Sequence, residues 1–256
     1  MADNDSKRNS GSGLETIFGI HSVQAVLKSS PDRVRALFLM RGRQDQRVQK
    51  ISQAAKNAGV QAQILDRKQF DRMCDGNHQG VLAHLAPGKS YDEGALYELL
   101  ETVDTDPLIL VLDGVTDTHN LGACLRTADA AGAHAVVIPK DNSASLNETA
   151  RKVACGAAEH VPLIPVTNLA RTLRKLQELG LWVAGTCGDG AEDIYQSDLS
   201  GPRVIVMGSE GDGMRRLTKE TCDMLVRIPM MGTVSSLNVS AATAVVLFEV
   251  HRQRNY

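Results

Sequence analysis

Apolar residues follow two different rhythms along this chain. Between Thr16 and Ala86 they come in short groups. Val23, Val26 and Leu27 share a helical face in His21–Lys28, and Val48, Ile51, Ala54 and Ala55 share one in Asp45–Ala58, with Gly59 as a stop. Val34–Met40, Gln61–Leu65 and Gln79–Leu85 read as strands between them. From Pro107 onward the apolar runs become nearly continuous: Leu108–Leu112, Ala135–Ile138, Val161–Val166, Leu181–Ala184, Val204–Met207 and Met224–Ile228. Strands buried on both faces have this pattern. Helical stretches at Leu121–Ala131, Asn147–Ala157, Leu169–Leu179, near Leu217 and at Asn238–Arg252 separate them. The alternation predicts an α/β fold with a parallel sheet covered on both faces, preceded by a small α/β domain. The expected boundaries are a disordered tail over 1–15, a front domain over 16–86, a linker with one helical stretch near Ala95–Glu101 over 87–106, and the main domain over 107–256. The last helix carries almost no polar face from Val239 to Val250. Such a helix is buried, either in the core or in a subunit interface.

Composition narrows the class. Of 256 residues, 43% are hydrophobic and 23% charged, as in an ordinary soluble protein. No apolar run approaches a membrane span, and the first residues lack the apolar core of a signal peptide. Five widely spaced cysteines, with no Cys-x-x-Cys pair, argue for a reducing cytoplasm and against a zinc site; they read as small buried hydrophobes. The net charge of −2 hides an asymmetry. Thr16–Ala86 holds 11 Lys and Arg against 5 Asp and no Glu, whereas Pro87–Tyr256 holds 15 basic against 22 acidic residues. A basic front domain suits contact with phosphates.

Three loops that follow apolar strands stand out, because ligands of open α/β sheets sit beyond the carboxyl ends of the strands. The first, Asp113 to Gly122, contains Asn120 and leads into a helix bearing Arg126, on its first or second turn by this reading. The second, Val206 to Met214, has Glu210 among three glycines, Gly208, Gly211 and Gly213. The third, Ile228 to Ser240, is small and polar, with Ser235, Ser236 and Asn238, and runs into the last helix. Core packing does not call for two serines and an asparagine there. No Gly-x-Gly-x-x-Gly follows a first strand and no Gly-x-x-x-x-Gly-Lys-Ser/Thr is present, so Rossmann dinucleotide and P-loop sites are unsupported. No His-Glu-x-x-His spacing suggests a metal.

Taken in order, Asn120–Ala128, Val206–Gly213 and Ile228–Ser240 resemble the three signature motifs of the SpoU family of knotted RNA 2′-O-ribose methyltransferases. Phe18–Val23, His78–Val81 and Lys152–Glu159 extend the likeness to the bacterial members that methylate a guanosine of 23S ribosomal RNA, over nearly all of Phe18–Arg254. The resemblance implies a SPOUT-type parallel sheet tied in a trefoil knot, an L30e-like RNA-binding front domain, S-adenosyl-L-methionine as cofactor, 23S rRNA as substrate, a homodimer, and neither metal nor membrane. It implies catalytic roles for Arg126, Glu210, Asn120, Ser236 and Asn238, and cofactor contacts, largely through backbone, from Gly208, Ile228 and Leu237. A base role has been proposed for this arginine, but a guanidinium is effectively always protonated. A cation that binds the target phosphate and stabilises the developing alkoxide is the better reading, with a neighbouring phosphate or water taking the proton. Two alternatives stay open. The same chemistry could serve a tRNA or another rRNA nucleotide. The chain could also be a non-catalytic RNA-binding protein, although Arg126, Glu210 and Asn238 are all present.

Overall fold

The computed structural model describes residues 14–42, 45–74, 78–87, 91–188, 192–209 and 211–256. The chain divides at Lys89/Ser90 into two units. In the first, β1 (Glu15–Phe18), α1 (Ile20–Ser29), β2 (Val34–Met40), α2 (Gln46–Asn57), β3 (Ala62–Leu65), α3 (Arg67–Met73) and β4 (Val81–Leu85) follow one another. They build a sheet of order β1-β4-β2-β3, parallel at β2/β3 and antiparallel elsewhere. Alternation along β2 sorts the core. Leu37 and Leu39 meet Val23, Val26, Val48 and Ile51 of α1 and α2, while Phe38 meets Phe70 of α3 on the other face. Sequence periodicity missed β1 and α3. Each is short, and α3 buries only Phe70, too little to show a period. Its start was nevertheless written in the chain, because Asp66 and Gln69 form a reciprocal capping box.

In the second unit α4 (Glu93–Thr102) comes first, over the helical stretch expected near Ala95–Glu101, and its Leu96 is fully buried. Then follow β5 (Leu108–Asp113), α5 (Thr118–Ala130), β6 (Ala135–Pro139), α6 (Glu148–Ala154), β7 (Leu163–Val166), α7 (Leu169–Glu178), β8 (Trp182–Thr186), β9 (Glu192–Asp193), β10 (Arg203–Gly208), α8 (Arg216–Thr221), β11 (Met224–Arg227) and α9 (Val239–Asn255). The sheet order is β7-β6-β5-β10-β8-β11-β9, with every pair parallel. Leu108, Leu110, Leu112, Ile205 and Met207 face the layer of α5, α6 and α9, and Ile109, Val111, Val204 and Val206 face that of α4 and α7. Two helical layers on one parallel sheet explain the unbroken apolar runs.

Two of the helix boundaries that shift do so for a local reason. α5 begins at Thr118, three residues early, because the Asp117 carboxylate accepts the His119 and Asn120 amides and caps it. This moves Arg126 to the third turn. α6 stops at Ala154 because Cys155 and Gly156 both take left-handed backbone. Cys155 is also solvent-exposed and Cys74, Cys187 and Cys222 are half-buried, so only Cys124 fits the expectation of a buried small hydrophobe. No helix among the described residues is long and apolar enough to cross a membrane.

Candidate active site

The carboxyl ends of β8, β10 and β11 surround a cavity of about 570 Å³. That is within the usual range for small-molecule sites. Gly208, Ile228, Ser236 and Leu237 all line it, together with Met207 and Val226 at its apolar base. The residues singled out at the end of one strand and in the loop after another therefore share one wall. Gly208 is fixed by close approach: a Cβ there would lie 2.3 Å from the Gly213 carbonyl carbon and the Met214 nitrogen. Only a glycine lets the following loop fold back so tightly. Ser209 and Gly213 close that loop by exchanging backbone hydrogen bonds of 3.1 and 3.2 Å. Glu210 lies outside the described residues.

The first and third loops meet directly. Asn238 is the N-cap of α9, where its Oδ1 accepts from the Ser240 amide and hydroxyl. Its Nδ2 donates to Asn120 Oδ1 in the first turn of α5, at 3.1 Å. Below this pair α5 and α9 pack in the same core, where Cys124 Sγ and Thr243 Oγ1 lie 3.5 Å apart. Arg126, two turns further along α5, is exposed, and its Nη1 donates to Cys155 Sγ at 3.7 Å. It lines neither this cavity nor the one described next.

A second cavity, about 630 Å³, opens between the ends of β5 and β10. Its best-defined feature is an ion pair. The Asp113 carboxylate, completely buried, accepts from the Arg215 backbone amide at 2.9 Å and from its Nε at 2.6 Å, with Nη2 also 2.6 Å away. Asp113 stands opposite Gly208 in the strand register, so this pair pins the chain just after the glycine loop. Nearby, burial pushes the Cys222 thiol up to about 12, with Asp223 and Asp113 adding to it. It remains a neutral thiol at physiological pH and is no nucleophile. Among the described residues no cluster of three or more His, Cys, Asp or Glu could hold a metal.

Residues 107–248 match the SpoU rRNA Methylase family, and residues 16–91 match the family described as RNA 2′-O ribose methyltransferase substrate binding. This chain belongs to the SpoU methylase family. It is 58% identical over 240 residues to the 23S rRNA (guanosine-2′-O-)-methyltransferase RlmB of Pseudomonas aeruginosa, covering 94% of this chain and 97% of that protein. It is 55% identical over 242 residues to the RlmB of Escherichia coli K12, covering 94% and 99%. Among solved structures, the SpoU methyltransferase AviRb from Streptomyces viridochromogenes, in complex with AdoMet, superposes with a TM-score of 0.76 at 21% identity, over 94% of this chain and 90% of that one. That likeness shows the fold.

In this SpoU chain the motif residues fall into three groups. Gly208, Ile228, Ser236 and Leu237 gather at one cavity, Asn120 and Asn238 tie two helices together, and Arg126 stands apart beside Cys155. Sequence reasoning named Asp113 only as the start of a loop and gave Arg215 no role. A signal was there: an acidic residue ending a strand buried on both faces needs a fixed partner. No sequence signal pairs Cys155 with Arg126, since they meet only through the packing of α5 on α6. There a Cβ on Gly122 would come within 2.5 Å of the Ala150 carbonyl oxygen.

Proposed function

We propose that this chain transfers a methyl group from S-adenosyl-L-methionine to the ribose 2′-hydroxyl of a guanosine in 23S rRNA. The observation that carries this reading is the convergence of Gly208, Ile228, Ser236 and Leu237 on one ligand-sized cavity in a SpoU chain. The relatives named for that reaction, matched along nearly their whole length, support the substrate. The cavity suits the cofactor. Its rim offers glycine and loop backbone for a polar ligand, and its base offers Met207 and Val226 for an apolar edge. When bound, S-adenosylmethionine supplies a methyl group already activated on a sulfonium. The protein is left with alignment and with the hydroxyl proton.

In this reading Gly208, Ile228 and Leu237 hold the cofactor through backbone groups. Asn238, fixed as a helix cap and joined to Asn120, keeps the third loop in register with the first, and Ser236 faces the ribose. Glu210 orients the ribose and Arg126. Arg126, permanently charged, binds the target phosphate and stabilises the oxygen as it loses its proton to a neighbouring phosphate or water. Its absence from the lining of either cavity is the reason to expect a homodimer in which the site is completed across α5 and α9. The basic front unit carries RNA. The C-terminal chain is expected to be threaded as a trefoil knot. Gln253 donates to the Ser197 carbonyl and accepts from the Leu199 amide, and Arg254 donates to the Gly201 carbonyl; these bonds support this by binding the 197–201 segment to α9. Cytoplasmic residence follows from the substrate.

The test is transfer of labelled methyl to a 23S rRNA transcript, mapped by nucleotide. Label at one guanosine ribose is expected, and no label on any ribose would sink the reading. Arg126→Lys keeps the charge and should retain turnover at saturating RNA to within about tenfold, whereas Arg126→Ala should lose it. Lost turnover in Arg126→Lys with intact binding of both substrates would count against the cation role.

A further inference from the structure

The second cavity lies at the point where the winding of the sheet reverses. From β5 the chain builds outward through β6 and β7, and on the other side β10 leads to β8 and β11. Ligands of open α/β sheets bind in the crevice outside such a switch point. The cavity shares Ser209, Asp212 and Met214 with the first one, so a single loop is the partition between them. A nucleoside in the second cavity would therefore bring its ribose to the rim of the first.

The lining has a definite chemistry. Arg215 and Arg216 line it together with Gly114, Thr116 and Asn142. The Asp113 carboxylate is taken up by Arg215. Asp212 is different: it is exposed on the partition, and no described residue pairs with it. A carboxylate is an acceptor with two parallel oxygens. The Watson–Crick edge of guanine sets N1–H and N2–H side by side as donors, which such an acceptor matches, while adenine offers an acceptor at N1. Bases taken out of the stack are read on this edge in a fitted pocket. Among the described residues Arg216 pairs with Glu220 alone, at 3.7 Å, and its side chain is 90% exposed.

We infer that the second cavity seats the base of the target nucleotide, that Asp212 selects guanine by accepting from N1–H and N2–H, and that Arg216 meets an adjoining phosphate. This deepens the methyl-transfer reading and rests on it for the identity of the ligand as an RNA guanosine.

The experiment compares target RNAs carrying guanosine, inosine (no 2-amino group) or 2-aminopurine (no N1–H) at the methylated position. Wild type, Asp212→Asn and Arg216→Ala are each assayed for kcat/KM and, by filter binding, for RNA affinity. Wild type should lose about tenfold or more with either analogue. Asp212→Asn should bring the three RNAs to within about threefold of one another. Arg216→Ala should weaken all three alike and lower the salt slope by about one, with the cofactor Kd unchanged because Arg216 lines only the second cavity. A guanosine preference that survives Asp212→Asn would overturn the assignment. So would a wild type indifferent to the analogues, or an Arg216→Ala chain that binds all three RNAs as wild type does. A raised cofactor Kd in Asp212→Asn with the preference intact would assign Asp212 to the first cavity instead, and would overturn it too. Absence of methyl transfer to any RNA would count against the enzyme reading alone, because the affinity comparison still reads the pocket.

Discussion

Gly208 and Asp113 stand side by side at the ends of β10 and β5, and each sets one cavity. Gly208 was legible in the sequence, as a glycine ending an apolar strand. Asp113 was not assigned a partner, because its partner lies about a hundred residues on. For Gly208→Ala, the added methyl meets backbone at 2.3 Å and cannot be relieved by a side-chain rotation. The loop must move, so cofactor affinity by titration calorimetry should fall at least about tenfold, with a lower Tm. The ion pair predicts an asymmetry. Arg215 is half exposed and can be resolvated, whereas Asp113 has no access to water. Removing the arginine strands a buried charge, so Arg215→Met should cost about 3 kcal/mol in urea unfolding. Asp113→Asn should cost less, and the double variant should recover part of the loss. Equal costs for both single variants would mean that the burial of Asp113 is not what makes the pair matter.

At the scale of elements, long periodic helices and two-face-buried strands were legible to within a few residues, because each repeats its burial pattern often enough to be counted. Elements set by one cap or one residue were not. The start of α5 follows from Asp117, the end of α6 from the left-handed Cys155, and α3 from a capping box around a single buried Phe70. The docking of α4 adds one polar anchor, Glu93, to its buried Leu96. Burial alone would raise the Glu93 carboxyl, but hydrogen bonds from Thr172, Tyr97 and Arg171 outweigh it and hold the carboxyl below its ordinary value. Burial and the bond to Glu93 together push Tyr97 up to about 12. A carboxyl depressed in the folded chain adds stability above its unfolded pKa, near 4.5, and that stability is lost as pH falls through the folded value. Thermal stability should therefore drop more steeply with acid in wild type than in Glu93→Gln, between pH 5 and 3 by calorimetry. Parallel profiles for the two proteins would show that Glu93 carries no such linkage. Near pH 7 the Gln variant should be the less stable of the two.

Strand order belongs to the whole molecule, and no local pattern gives it. That β10 inserts between β5 and β8 is decided by crossovers spanning tens of residues, and the expectation of a knot came from resemblance, against the general rarity of threaded chains. The last helix shows what sequence periodicity can and cannot decide at this scale. Its lack of a polar face led to the expectation of burial in the core or in a subunit interface. Within the chain the structure buries Val239, Thr243, Val246, Leu247 and Val250 and leaves Ala241 and Phe248 uncovered, with Phe248 47% exposed. Residues seven apart on a helix lie on one face, so this is a stripe and not scatter. An uncovered apolar stripe on a helix that also carries Asn238 at its start is a surface suited to a partner. Charge introduced at Phe248 should break an association through this stripe without touching the cavity. By light scattering at micromolar concentration wild type is expected to run as a dimer and Phe248→Glu as a monomer. Its cofactor Kd should be unchanged, since Phe248 does not line the cavity, while methyl transfer should fall by at least about a hundredfold if Arg126 acts across the interface. A monomeric variant with full activity would place Arg126 in its own subunit's site, and a wild type already monomeric would remove α9 as an interface altogether.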